Sequence, residues 1–482
     1  MLIPGFISNI LEWSQLQVKN CFLPDKRLVP VMENFLIAHA ANPRGSTAEV
    51  SNGNDALKKR LYRLLENERV DPKGIDQGTV QRTADICKSL PVILAIQDTT
   101  SVQFGSHQLK DFFKEEKGTP HGFIAHTVLA VDPESEGIIG LLNQDRWIRH
   151  PNRERDIQIT SKFKDDEKES IKWINGLKAC HELMDGSSTR VITVADREAD
   201  IFSFIEYCIE TKSDFILRSN HNRKGKQSEG DTQLTHLHDA VMSSPVLLQR
   251  KIDIEQRGVQ RSKNNQKARD SRSRKSVLTE IRSCSFNVDS PSKNKPQIKL
   301  NAVLVSEVDP DDDLLKEKNR LEWFLITSEP IDTEKNIDSI VRNYELRWKI
   351  EEFFKCWKTG CRLETRPLQS IGNFERMMSL TIPIAILMMQ LHACAANKNH
   401  SQSAEEILGK DHVACLLALS NSQKNPPEKL SAYWAYETIG RIAGWTDSKK
   451  TGRIGWQTLW KGWIILDREV ASLKRHRKLL SS

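Results

Sequence analysis

The chain has 482 residues, a formal net charge of +7 and a sequence pI of about 8.8. That length allows roughly three domains, and so modest a positive balance admits a polyanion as partner without requiring one. Nine cysteines are scattered without a C-x-x-C pair or a Cys/His cluster, which excludes the usual zinc modules and disulfide scaffolds and points to reduced thiols.

The opening stretch "MLIPGFISNILEWSQLQ" lacks the charged region, long apolar run and small-residue cleavage site of an export signal, so a cytoplasmic protein is expected. Residues 1–75 read as helices. The clearest follows "SNGND", where Leu57, Leu61, Leu64 and Leu65 share one stripe and Lys59, Arg60 and Arg63 lie opposite. Such a basic face is either a solvated surface or a DNA contact.

From Pro91 the pattern changes to short β-branched and aliphatic runs: "PVILAIQDTT", "GFIAHTVLAV" and "GIIGLLNQ". A helix through "DEKESIKWINGLKACHELM" and then "RVITVADREAD" follow, which predicts an α/β domain. Between about 214 and 330, runs such as "DFILRS", "SVLTEIRSCSFNV" and "LEWFLITSEP" alternate apolar and polar residues, as an inserted, mainly antiparallel sheet would. The Arg/Lys-dense loop from Glu255 to Lys275 is either a solvated hairpin loop or an arm that tracks phosphates. After residue 344 the chain reads as mostly helical. Its most apolar run, from Met377, contains Pro383, Gln390 and His392 and reads as a buried core helix rather than a membrane span. Polar "NKNHSQSAEE" marks a boundary, giving expected domains at 1–75, 76–395 and 396–482.

Three carboxylates stand out. Asp98 ends "VILAIQD" and Asp196 ends "RVITVAD", positions where α/β sheets open their ligand crevices, although such residues also cap loops and helices. Asp200 reads as the N-cap of the helix "IFSFIEYCIE", which leaves Asp196 without a capping duty. With the segment from Tyr344 taken as one helix at about 100° per residue, Arg347, Glu351 and Lys358 fall on one stripe with Tyr344. Ile350, Phe353, Phe354 and Trp357 fall opposite, and Glu352 lies off the stripe. Two aspartates and a glutamate form an all-oxygen set suited to paired Mg²⁺ or Mn²⁺. Such ions stabilise both the attacking and the leaving oxygen of a phosphoryl displacement.

The spacing Tyr344-x₂-Arg347-x₃-Glu351-x₆-Lys358 matches the Y-(2)-R-(3)-E-(6)-K signature of the insertion-sequence-four family of bacterial DDE transposases. "LAIQDTTS" and "DREADI" resemble the stretches carrying that family's two catalytic aspartates. "RLYRLLEN" is similar to its N-terminal DNA-binding domain and "WAYETIGRIAGWTDSKKTGRIGWQTLWKGW" to its dimerisation region. The resemblance implies an RNase H-like core with a β insertion, flanked by helical N- and C-terminal domains. It further implies Asp98, Asp196 and Glu351 as catalytic metal ligands for two Mg²⁺ ions, with Mn²⁺ as substitute. Tyr344, Arg347 and Lys358 would grip phosphates, Trp323 would stack a flipped base, and Arg218, Arg27, Tyr62 and Arg63 would contact DNA. Near Arg27 the sequence departs from the family pattern, with Leu28, Pro30 and Val31 where further basic or helix-favouring residues stand. The expected activity is cut-and-paste transposition through a DNA hairpin, by a homodimer that pairs two DNA ends at the bacterial nucleoid, with no membrane involved. A stand-alone nuclease and a non-catalytic inhibitor of transposition are the alternatives.

Overall fold

In the computed structural model, the described residues are 10–104, 122–148, 170–227, 235–253, 276–290, 297–308, 320–396, 403–420, 430–446 and 454–480. The basic loop Glu255 to Lys275 lies outside them. The chain divides into two units, Met1–Arg190 with Trp348–Ser482, and Val191–Arg347.

The first unit begins with helices α1 (Ile10–Val18), α2 (Val29–Ala41), α3 (Thr47–Val50), α4 (Asp55–Glu66) and α5 (Pro72–Cys87). In α4, Asn54 caps the first turn through Leu57 N, and Leu61, Leu64 and Leu65 are buried while Tyr62 and Arg63 are exposed, as the leucine spacing requires. Strands β1 (Val92–Gln103), β2 (Gly122–Val131) and β3 (Ile138–Trp147) form an antiparallel meander. Helix α6 (Ile171–Met184) packs on these strands. Gly176 makes that approach close, since a Cβ there would meet Gln97 Oε1 at 2.5 Å.

The second unit holds β4 (Arg190–Ala195, entering from Arg190), α7 (Phe202–Glu210), β5 (Asp214–Arg218), β6 (Lys224–Lys226), β7 (Thr235–His236), α8 (Leu237–Ser243), β8 (Leu248–Asp253), β9 (Ser276–Val288), β10 (Ile298–Glu307), β11 (Glu322–Thr327) and α9 (Glu334–Glu345). β4 and β5 are parallel, and β5, β11, β10, β9, β6 and β7 then follow in antiparallel pairs, with β8 also on β9. The expected insertion is therefore not a separate sheet. Its antiparallel strands extend the β4–β5 pair through β11, whose register sets Leu325 against Arg218.

Back in the first unit, α10 (Trp348–Lys355) leads through a π-helical turn (Cys356–Gly360) to α11 (Ile371–Ala396). Helices α12 (Ala404–Leu408), α13 (Lys410–Leu419), α14 (Ala432–Ile442) and α15 (Trp456–Leu480) follow and share an apolar core that includes Leu416, Trp434 and Leu466. By length and composition α11 could cross a membrane, but most of it is buried inside the protein. Its Gln390 is buried too, and Nε2 donates to Ile138 O and Ile139 O, each at 3.0 Å. The expected core helix is present. Cys21, Cys87, Cys180, Cys208, Cys284, Cys356, Cys361 and Cys415 are free thiols. Burial pushes the Cys180 and Cys361 thiols up to about 12 and raises the Cys87 thiol well above its ordinary value, which makes them poor nucleophiles.

Two buried arginines tie the N-terminal helices to the segment around α11. Arg366 donates from Nη1 to Gly45 O at 2.8 Å and from Nη2 to Pro43 O at 2.7 Å, and its Nε reaches Cys361 O at 3.1 Å. Arg376 donates from Nε to Leu65 O at 2.6 Å and from Nη1 to Val70 O at 3.3 Å. Burial lowers the Arg366 pKa to about 10, so the guanidinium stays charged and is held by backbone carbonyls.

Two buried histidines make the first unit acid-sensitive. Burial lowers both His39 and His126 to about 3, against 6.5 when unfolded. Between those values the unfolded chain binds more protons, so the stability these residues confer is complete above pH 6.5 and declines as pH falls toward 3. Acidification from pH 7 to pH 5 is expected to cost about 2 kcal/mol per histidine. Urea titrations at the two pH values test this, with a His126→Gln variant losing less stability on acidification than the unchanged chain. Parallel pH slopes in the two proteins would disprove it.

Candidate functional site

The first unit places Asp98, Glu351 and Lys358 around one open pocket of about 450 Å³, with Thr99, Thr100, Phe354, Lys355, Thr359 and Glu364 completing the lining. Sequence segments more than two hundred residues apart meet there because of how α10 packs. Ile350, Phe353 and Trp357 are fully buried, and Trp357 Nε1 donates to Thr381 Oγ1 of α11 at 3.0 Å. With that face anchored, Glu351 turns toward β1. Glu352 does not line the pocket, as the helical spacing predicts.

The segment from Tyr344 to Lys358 is not one helix, however. Helix α9 ends at Glu345, Leu346 closes it, α10 starts at Trp348, and Lys358 stands on the π-helical turn. Wider turns of this kind re-aim side chains and recur at functional sites. Here Lys358 Nζ donates to Thr100 Oγ1 at 2.8 Å and Ser101 O at 3.1 Å.

Asp98 corrects a second expectation. It lies inside β1, paired with Thr127 of β2, rather than past the strand's end. Its Oδ1 accepts from Thr99 N at 2.6 Å. Behind it runs a buried polar chain in which His126 bridges Thr99 Oγ1 (3.0 Å) and Gln97 Oε1 (3.1 Å), with its ring edge-on to Trp173. Burial keeps that imidazole neutral, so it serves as a hydrogen-bond bridge and adds no charge behind the carboxylate.

In the second unit Asp196 does follow the end of β4. It has a capping duty after all, since its Oδ1 accepts from Glu198 N at 2.9 Å at the start of a 3₁₀ turn, Arg197–Ala199. Asp200 is not the N-cap of α7, a position taken by Ile201. Its carboxylate is buried, accepts from Asn220 N (2.6 Å) and His221 N (2.8 Å), and pairs with Arg223. Sequence reasoning missed this lock because its partners follow 20 to 23 residues later.

Tyr344 and Arg347 also differ from the expected open stripe, being only 2% and 6% exposed. Tyr344 packs edge-on against Trp323 with ring centroids 5.2 Å apart, and the Arg347 guanidinium lies 6.0 Å from its ring. Burial raises the Tyr344 pKa, partly offset by Arg347 and Arg218, so the phenol is protonated at neutral pH. Arg218 donates from Nη2 to Glu322 O at 2.9 Å. Trp323 is 5% exposed and offers no open ring face in this state. Arg27, by contrast, is exposed and forks onto Asp25 through Nε and Nη2. Arg27, Tyr62 and Arg63 stand in the N-terminal helical region of the first unit.

Asp98 and Glu351 present carboxylate oxygens to the pocket, the hard donors that a divalent cation of the Mg²⁺ or Mn²⁺ type takes. Among the described residues no group of three or more His, Cys, Asp or Glu side chains is placed to hold a metal ion. Residues 171–387 match the family model described as a transposase DDE domain. The matched stretch contains Asp196, Arg218, Trp323, Tyr344, Arg347, Glu351 and Lys358; Asp98 precedes it. The match supports a DDE transposase, a family that acts on DNA and generally uses divalent metals.

Proposed function

We propose that the protein is a cut-and-paste DNA transposase of the insertion-sequence-four type, Tn-five-like, with an RNase H-like core. The observation that carries this reading is the meeting of Asp98, Glu351 and Lys358 at one open pocket, with Glu351 and Lys358 inside the transposase-matched stretch. Asp98 and Glu351 serve as metal-binding carboxylates, and Asp196 is assigned as the third on its sequence motif. Two Mg²⁺ ions held by these acids would supply an activated water and charge stabilisation at the attacking and leaving oxygens. Lys358 presents a cation at the pocket wall for a DNA phosphate, while Arg347 and Arg218 hold positive charge around Tyr344. Trp323 is assigned to stack a flipped base, which requires it to part from Tyr344. The exposed Arg27, Tyr62 and Arg63 contact transposon-end DNA, and a homodimer pairs two ends at the nucleoid in the cytoplasm.

The test is a Mg²⁺ cleavage assay of the purified protein on duplexes carrying the inverted repeats that flank its gene. Nicking at the repeat boundary followed by a hairpin end is the expected product. Cleavage without regard to the repeats would favour a stand-alone nuclease, and repeat binding without cleavage a non-catalytic inhibitor; either overturns the proposal.

A further inference from the structure

Beyond Lys358 the backbone takes a costly detour. Arg362 adopts φ +51°, a left-handed conformation that arginine rarely takes, and opens a 3₁₀ turn, Leu363–Thr365. Arg366 clips this detour shut, with Nε and Nη2 both on Cys361 O at 3.1 and 2.9 Å. The result turns Glu364 back onto the pocket, where its Oε1 accepts from Gln103 N, in the last residue of β1, at 3.0 Å. A strained backbone persists only where its surroundings hold it, and here a buried guanidinium does so. Lys358 grips the same strand at Thr100 and Ser101. The strand that carries Asp98 is thus fastened at two points to the segment that carries Glu351.

We infer that Glu364 is a positioning residue for the metal pocket, an inference that rests on the function proposed above. Its carboxylate fixes the end of β1 and thereby the separation of Asp98 and Glu351. It acts as a hydrogen-bond acceptor for Gln103 N–H and not as a ligand. A glutamine retains that acceptor oxygen, whereas an alanine removes it, so the two substitutions separate positioning from ligation.

The experiment compares Glu364→Ala, Glu364→Gln and Glu351→Gln by calorimetric titration with Mn²⁺ in the absence of DNA, and by the Mg²⁺ dependence of cleavage. Glu364→Ala is expected to weaken Mn²⁺ binding about five- to tenfold, the effect of losing one charge-assisted hydrogen bond. The half-saturating Mg²⁺ concentration should rise by the same factor, with cleavage at saturating Mg²⁺ nearly unchanged. Glu364→Gln is expected to bind Mn²⁺ within about twofold of the unchanged chain. Equal losses in the two Glu364 variants would make it a ligand, and an unaffected Glu364→Ala would leave it without a role; either overturns the inference. Retained Mn²⁺ binding in Glu351→Gln would instead bring down the metal pocket itself.

Discussion

Glu351→Gln is expected to lower Mg²⁺-dependent cleavage of end DNA on the order of 10³-fold or more, because a metal site supplies several kcal/mol of transition-state stabilisation. Glu352→Gln should stay within about fivefold, since Glu352 does not line the pocket and keeps a polar side chain of the same size. The two residues are adjacent, equal in charge and both half-buried, so the contrast isolates direction. Glu351 lines the pocket with Asp98 and Lys358, whereas Glu352 lies near the buried Cys356 thiol, whose pKa is raised chiefly by burial and slightly by that carboxylate. Both variants should melt at the temperature of the parent. Comparable activity losses in the two would remove Glu351 from the metal site.

Asp200→Ala is expected to destabilise the second unit by about 3–5 kcal/mol, the cost of stranding one partner of a buried ion pair. The alanine would leave the Arg223 guanidinium, 11% exposed, without its carboxylate, and the N–H groups of Asn220 and His221 without their acceptor. Arg223 also donates from Nη2 to Asp200 O at 3.0 Å, so the pair closes a ring around the turn that follows β5. Urea denaturation measures the effect, and the double variant Asp200→Leu/Arg223→Met should recover much of the loss because no charge is then left buried. A loss below about 1 kcal/mol for Asp200→Ala would mean that water reaches the stranded group.

Where local chemistry decides, the sequence was readable. β1 to β5 and β8 to β11 form from the β-branched runs that announce them, and α4 buries the leucines its spacing aligns. Glu351 was distinguishable from Glu352 because α10 is itself regular and its aromatic face must be buried. The misreadings concern tertiary context. The run "TTSVQ" after Asp98 has good strand residues, yet a polar Asp invites a stop, and β2 supplies the pairing that continues the strand. No Gly or Pro marks the break near Arg347, and Gly360 stands only at the far end of the π-helical turn, after Lys358, so uniform helical angles failed there. Asp200 offered a cap by its type and position but found a stronger partner in Arg223. The burial of Tyr344 depends on Trp323, far back in the sequence.

The arginine links between α11's surroundings and the N-terminal helices bear on how the chain would tolerate truncation. A protein translated from an internal start beyond Val70 would have no Pro43, Gly45, Leu65 or Val70 carbonyl to receive Arg366 and Arg376. Two guanidinium groups tucked into the interior would face solvent or misfold their surroundings, and Arg366 would lose its hold on the segment that presents Glu364. A chain without these helices is therefore expected to rearrange around Arg366 and Arg376, and so around the segment that presents Glu364, and not to be the same fold with one module removed.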